Sequence, residues 1–336
     1  MTKLPHVIAI LGAGSWGTAL ALAGARQGNI VKLWSISADE INQLKTERVN
    51  QQFLPGFQLP ENIIPTHDLS QAIRHTQDIV IAVPSIGFRT TLEALKSHLT
   101  AGMQFICASK GLDEESGQLF SEIVQEIFPS VPYAVLSGPS FAREVAADLP
   151  TAVVLASRDT SFIESFRMQF ASKSFCITLT NDITGVEIGG IVKNVMAIAT
   201  GISGGLNLGT NARSALLNAG FNEMIRLGQA LGGQLKTFLG LSGFGDLILT
   251  SLDDQSRNRR FGLAIGRGMA PDEAEQQIGQ VVEGKRNASL VLKLAARNQT
   301  SMPVCELVQN ILLNRIKAPD AYAKFFAKDL TGALTV

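Results

Sequence analysis

The apolar run Val7–Leu11 (VIAIL) is followed at once by Gly12-Ala13-Gly14-Ser15-Trp16-Gly17 and then by a stretch rich in alanine and leucine. A strand that enters a glycine turn and leaves it as a helix admits few folds. The first glycine allows the tight turn, the second lets a ligand approach the backbone, and the third lets the helix pack on the strand. A helix is expected from about Thr18. Its N-terminus, with unspent backbone N–H groups, suits the pyrophosphate of a dinucleotide, and Gly12, Gly14 and Gly17 are the residues that make room for it.

The first half continues in the same manner. VKLW, DIVIAV, MQFICAS, YAVLS, TAVVLAS and SFCITLT are strand-like, with helical patterns between several of them, including one from about Asp39. Strands alternating with helices predict βαβ units and a parallel sheet covered on both faces. Asn50 to Pro65, with Pro55, Gly56, Pro60 and Pro65, reads as a long loop over the sheet edge. After about Thr180 the apolar spacing becomes helical, as in Ala212–Leu231 and Asn287–Gln299, and no alternating run follows. The expected class is α/β, a Rossmann-type parallel-sheet domain followed by an all-α C-terminal domain. A boundary near Asn181–Gly185 gives domains 1–182 and 183–336. Pro271 followed by Asp272 and Glu273 marks a helix start.

The 29 basic and 29 acidic residues cancel, so no cationic field exists to hold nucleic acid or an anionic membrane. A small-molecule ligand is expected instead. Cys107, Cys176 and Cys305 are scattered and odd in number, which fits a reducing cytoplasm and gives neither a disulfide framework nor a zinc pattern, so no metal is expected. Met1–Pro5 leaves no room for a signal peptide before the first strand. No apolar run is expected to approach the roughly 18 residues of a membrane span.

NAD sites usually carry an acid about 20 residues after the glycines to bond the ribose 2′-hydroxyl. Here the stretch is Leu33-Trp34-Ser35-Ile36-Ser37, with no acid until Asp39 and no arginine for a 2′-phosphate. Ser35 and Ser37 suit either form, which leaves NADH against NADPH open. Three further strands end in Val83-Pro84-Ser85, Ser109-Lys110-Gly111 and Ser137-Gly138-Pro139-Ser140. Ligands bind at the carboxyl ends of parallel strands, so these turns should face one crevice, with Lys110 toward the ligand.

A nicotinamide dehydrogenase needs an acid or base for the substrate oxygen. The four histidines, His6, His67, His75 and His98, all precede the helical half; Tyr133 and Tyr322 lack a lysine four places on; zinc ligands are absent. Lysine remains. Between Ile188 and Ser203 the one ionisable residue is Lys193, and an ammonium in an apolar helix is costly unless it is paired or its pKa falls. Asn194 stands beside it. Asp246, in Leu241-Ser242-Gly243-Phe244-Gly245-Asp246-Leu247, is either its partner or the N-cap of a helix from Leu247. Asp254 to Gly262 holds the densest basic cluster, suited to phosphate or carboxylate; Arg259 and Arg260 read best as a solvated helix face. Glu283 in Val281-Val282-Glu283-Gly284 is a lone acid whose spacing assigns it no role.

Together GAGSWGTALA, ASKGL, SGPSFA, the GG-x-x-KN segment, LSGFGDL, QSRNRRFG and VVEGKRN resemble the bacterial-type NAD(P)-dependent glycerol-3-phosphate dehydrogenases, in family order from about Val7 to Asn287. The resemblance implies an NAD(P)H enzyme that reversibly reduces dihydroxyacetone phosphate to sn-glycerol 3-phosphate for phospholipid synthesis. It implies that Ser15 and Trp16 lie on the cofactor with the glycines, and that Lys110, Gly138 and Ser140 line the substrate side, Lys110 also reaching the cofactor that Ala142 touches. Lys193 is then the catalytic acid and base, Asp246 its partner, and Lys110 a stabiliser of the developing charge. Ser256, Arg257 and Asn258 hold the glycerol phosphate, with Arg257, Val281 and Glu283 also at the cofactor. Members often carry a basic residue or histidine near position 36, where this chain has Ile36. A homodimer is compatible with this reading. The rivals are a β-hydroxyacid dehydrogenase of the 3-hydroxyisobutyrate or phosphogluconate type and a non-catalytic dinucleotide sensor.

Overall fold

The computed structural model describes residues 6–329. Contacts divide the chain into two compact units: residues up to Ser109 with Phe120–Ile183, and Lys110–Leu119 with the chain from Thr184 onward.

The first unit is built on ten strands: β1 (Val7–Leu11), β2 (Ile30–Trp34), β3 (Val49–Asn50), β4 (Leu54–Gln58), β5 (Ile63–Thr66), β6 (Asp78–Ile81), β7 (Gln104–Cys107), β8 (Tyr133–Ser137), β9 (Thr151–Ala156) and β10 (Phe175–Thr180). Seven helices accompany them: α1 (Ser15–Arg26), α2 (Ala38–Glu47), α3 (Leu69–Ile73), α4 (Phe88–Leu95), α5 (Phe120–Ile127), α6 (Ala142–Ala146) and α7 (Thr160–Phe170). Eight strands form one sheet in the order β10-β9-β8-β7-β6-β1-β2-β5. Buried apolar clusters cover it, one including Ile8, Leu20 and Phe166, the other Leu11, Phe88 and Phe105, as a parallel sheet with helices on both faces requires.

Three expectations change here. The first helix begins at Ser15, directly on the glycine turn, rather than near Thr18. The sheet is not wholly parallel, because β9 runs antiparallel to β8. Between them the chain makes only the five-residue α6, too short for the crossover that a parallel return needs. Residues 50–65 are not one loop: β3 and β4 form a hairpin, and β5 adds an edge strand to β2. Pro65 sits opposite Leu33 in that edge strand, the position in a sheet that tolerates a missing N–H.

Helices make up the second unit from Thr184 on: α8 (Ile183–Gly205), α9 (Gly209–Ala230), α10 (Leu235–Phe238), α11 (Asp246–Leu252), α12 (Arg257–Gly266), α13 (Pro271–Ile278), α14 (Glu283–Arg297), α15 (Pro303–Leu312) and α16 (Ala318–Lys324). A π-helical turn, Leu241–Gly245, leads into α11. α13 starts on Pro271 with Asp272 and Glu273 in its first turn. α8 is the core element, with Ile188, Val192, Val195 and Ile202 fully buried. Contrary to expectation, this helix is long and apolar enough to cross a membrane, with a mean hydropathy of 1.3 over its most apolar window, and residues 185–203 are all buried within the protein.

Glycines let other segments reach the backbone of α8. A Cβ on Gly201 would lie 2.3 Å from the Arg259 carbonyl oxygen, one on Gly205 2.4 Å from that of Leu263, and one on Gly189 2.4 Å from that of Ser242. Both the start of α12 and the turn before α11 are thereby fixed against α8. Lys110–Leu119 also belongs to this unit, rather than to the sheet unit as a cut at residue 182 implies. The reason is burial: Leu112 and Leu119 join the helical core, and the Arg297 guanidinium donates to the Ser116 carbonyl at 3.0 Å.

Candidate functional site

In the first unit the glycine turn has the shape of a cradle. Gly12 has φ +113°, and a Cβ there would lie 2.6 Å from the Ala82 carbonyl oxygen. A Cβ on Gly17 would lie 1.8 Å from the Gly12 carbonyl oxygen, so α1 closes onto the turn only with glycine at that position. Gly14 instead faces open space, with nothing within 4 Å of its Cβ position, and no side chain caps α1. An uncapped, open helix N-terminus with a positive dipole end fits a pyrophosphate. Trp16 adds a buried indole N–H that meets no acceptor. The Ser15 hydroxyl donates to the Phe53 carbonyl at 2.7 Å, which ties the turn to the β3–β4 hairpin. These residues fit a dinucleotide.

The ends of β1, β6, β7 and β8 lie along one edge of the sheet, since neighbouring pairs are parallel. The Ser109 hydroxyl there bonds the Val83 carbonyl at 2.5 Å. Gly138 has φ +136°, and a Cβ would lie 3.0 Å from the Cα of Val153. Ser140 donates to the Gly138 carbonyl at 2.9 Å, and Ala142 begins α6, which packs on α1. Ser35 and Ser37 are both engaged by the first turn of α2: Ser35 donates to Glu40 at 2.6 Å, and Ser37 caps the helix by accepting the Glu40 N–H at 3.2 Å. Ile36 between them is 83% exposed.

The second unit gathers Lys110, Lys193 and Asp246. Lys193 and Asp246 are 7% and 1% exposed. The Lys193 ammonium donates to Asp246 Oδ1 and, at 2.9 Å, to the Thr250 hydroxyl, which donates in turn to Asp246 at 3.2 Å. Lys110 Nζ binds the other oxygen, Oδ2, at 2.7 Å. Asp246 therefore does not cap α11: it is the first residue of that helix, and both carboxylate oxygens are taken by amines. Burial pushes the Lys193 amine down to about 7, the Asp246 charge resists and the Lys110 charge adds to the fall. Burial works to raise the Asp246 carboxyl, but Lys110 and Lys193 outweigh it and hold it below its usual value. The result is a charged carboxylate beside an amine close to its neutral point.

The rest of the cluster is joined through α8. Asn258 donates to the Asn194 side chain at 2.9 Å and accepts the Gly284 N–H at 2.9 Å, which brings the starts of α12 and α14 to the residue beside Lys193. Ser256 caps α12, its hydroxyl oxygen accepting the Arg259 N–H at 3.2 Å. Arg257 donates to Gln280 at 3.0 Å. Burial lowers its guanidinium, the Glu283 charge opposes that fall, and the Arg260 charge deepens it. Arg259 departs from the solvated face expected for it: it is 8% exposed and paired with Asp254 at 2.9 Å, while Arg260 is exposed. Val281 and Glu283 flank the N-terminus of α14. Nothing in the sequence marks Thr250, although it lies four residues after Asp246, the helical spacing that brings side chains together.

Lys110, Asn194, Lys193, Asp246, Asn258 and Glu283 thus share the second unit, and the glycine turn, Gly138, Ser140 and Ala142 share the first. The families described as NAD-dependent glycerol-3-phosphate dehydrogenase N-terminus and C-terminus match residues 7–163 and 182–323. A glycerol-3-phosphate dehydrogenase [NAD(P)+] of Photobacterium profundum is 45% identical over 322 residues, 95% of each chain. One of Yersinia pestis is 44% identical over 323 residues, 96% of this chain and 95% of the relative. The crystal structure of a glycerol-3-phosphate dehydrogenase from Coxiella burnetii superposes with a TM-score of 0.95 at 44% identity, over 97% of this chain and all of the other.

Proposed function

The chain belongs to the NAD-dependent glycerol-3-phosphate dehydrogenase family, and from that membership we propose that it interconverts dihydroxyacetone phosphate and sn-glycerol 3-phosphate with NAD(P)H and NAD(P)+. The observation that carries the reading is the buried Lys193–Asp246–Thr250–Lys110 cluster, which keeps an amine near its neutral point without removing its hydrogen-bond partners.

When bound, the dinucleotide supplies hydride to C2 in reduction and takes it back in oxidation. Gly12, Gly14 and Gly17 hold its pyrophosphate, with Ser15, Trp16 and Ala142 beside it, and Lys110, Arg257, Val281 and Glu283 add contacts. Lys193 gives its proton to the oxygen at C2 as negative charge develops there and recovers it in the reverse direction. An amine titrating near 7 serves both directions at neutral pH. Asp246 keeps it oriented, and Lys110 supplies a second positive charge at the same carboxylate and toward the developing oxyanion. Arg257 and Asn258 with Ser256 bind the phosphate, and Gly138 and Ser140 close the substrate side, so contacts remote from C2 hold the carbonyl in position. Cys107, Cys176 and Cys305 form no disulfide, which fits a reducing compartment, the cytoplasm, with the product passing to phospholipid synthesis and a homodimer as the assembly.

The test follows loss of NADH and NADPH with dihydroxyacetone phosphate, against carboxylate-bearing carbonyl substrates such as methylmalonate semialdehyde, the oxidised partner of 3-hydroxyisobutyrate. Turnover is expected only with the phosphorylated ketone. Lys193→Ala should lower kcat by about 10²–10⁴-fold. Arg257→Ala should act mainly on KM. Near-wild-type turnover by Lys193→Ala at any pH overturns the proton-transfer role.

A further inference from the structure

We propose that Glu40 makes this chain select NAD(H) over NADP(H), by presenting a carboxylate to the adenosine ribose at the end of β2. The inference rests on the dinucleotide-binding reading above. In a Rossmann-type sheet the 2′ position of that ribose lies at the end of the second strand, where an acid favours the free hydroxyl. This chain has no acid in Ser35-Ile36-Ser37, but the fold returns one from the first turn of α2: the Glu40 carboxylate accepts from Ser35 at 2.6 Å. Ser35 follows Trp34, whose carbonyl accepts the Gly12 N–H at 2.8 Å, so the strand end carrying the pair touches the glycine turn.

A pocket beside that turn is lined by Ala13, Glu40, Gln43, Asn50 and Phe53, among others, and Glu40 is the one charged residue in its lining. Its far wall is held in place, since Asn50 donates to the Ala13 carbonyl at 2.8 Å and Ser15 to that of Phe53 at 2.7 Å. Ser37-Ala38-Asp39-Glu40 has the spacing of a capping box, yet the Glu40 carboxylate does not take the Ser37 N–H, which donates instead to Ser35 at 3.3 Å. The carboxylate is directed to the strand end. Neighbouring cations are committed elsewhere: Lys32 donates to the Gln71 carbonyl at 3.0 Å, and Arg48 to those of Leu59 and Ile63 at 3.3 and 2.9 Å. A ribose hydroxyl can donate to Glu40. A 2′-phosphate, carrying nearly two negative charges, meets a like charge and the apolar Ile36.

Calorimetric titration of the full chain with NADH and with NADPH, substrate absent, tests this apart from turnover. NADH should bind about tenfold or more tighter. Glu40→Gln should bring the two dissociation constants to within about threefold, chiefly by tightening NADPH. Ser35→Ala keeps the carboxylate but removes its anchoring donor, and should reduce the preference severalfold, which retains a test if Glu40→Gln does not fold. NADPH binding as tightly as NADH to the wild type, or a preference unmoved in both variants, overturns the proposal and leaves the dehydrogenase reading standing. Binding of neither cofactor overturns both.

Discussion

Lys193 is pulled two ways, and the balance gives the residue its use. Burial alone drives the amine toward neutrality, while Asp246 keeps a proton on it; Lys110, bound to the same carboxylate, tilts the balance back. With Lys193 as the proton carrier proposed above, the ammonium is the active form in reduction, so the rate should fall as pH rises through about 7; in oxidation the free amine is active and the rate should rise over the same range. Asp246→Asn removes the charge that raises Lys193 and should move both profiles about one pH unit to the acid side, whereas Lys110→Met removes the charge that lowers it and should move them to the alkaline side. Profiles of kcat against pH decide it, and shifts of the same sign sink the assignment. Lys193 stands out in the sequence because a single charge in an apolar helix is conspicuous, and Asp246 because it stands alone in an apolar, glycine-flanked stretch. Thr250 does not, since its part depends on α11 beginning at Asp246 rather than after it. Arg259 misleads for the opposite reason: three arginines in four residues look solvated until the close passage of α12 along α8 encloses one of them.

At the scale of elements, the geometry of the cluster depends on how near α12 and the turn before α11 come to α8. A Cβ on Gly201 would meet the Arg259 carbonyl oxygen at 2.3 Å and the Gly262 Cα at 3.0 Å, backbone atoms that cannot rotate away. Gly201→Ala should therefore force the helices apart, costing about 1–3 kcal/mol of stability by urea unfolding. Because α12 opens with Arg257 and Asn258, the phosphate clamp proposed above, the same variant should raise KM for dihydroxyacetone phosphate more than it lowers kcat. An unchanged KM in a folded variant refutes the link. The sequence displays these glycines without displaying their partners, because close approach is a property of two helices and spacing belongs to one. The sheet shows the same limit. Its long buried strands are plain from their apolar runs, but β5 hides in a proline-rich stretch, and the reversal at β9 depends on the brevity of α6.

For the molecule as a whole, Glu223 ties folding to pH. This α9 residue is fully buried and accepts the N–H groups of Val304 and Cys305 at the start of α15, and burial pushes its carboxyl up to about 8 despite those bonds. The unfolded group titrates near 4.5, so between about 4.5 and 8 the native state keeps a proton that the unfolded state has lost, and stability falls as pH rises across that window. Glu223→Gln keeps an acceptor and removes the titration. Its Tm should vary less than that of the wild type between pH 5 and 6, a range below the titration of Lys193 near 7, and equal slopes refute the assignment. The change of apolar period near Thr180 makes the helical half visible in the sequence, whereas Lys110–Leu119 reads as an ordinary polar connection, its two buried leucines too sparse to mark where it packs. That segment constrains descent as well as folding. A hybrid of two relatives joined once, near residue 183, takes Lys110 from one parent and Asp246 from the other, so the ion pair survives only if both lineages have kept compatible halves of it. Shuffling of whole modules is open to chains whose domains follow one another; here inheritance must keep an early segment and a late core together.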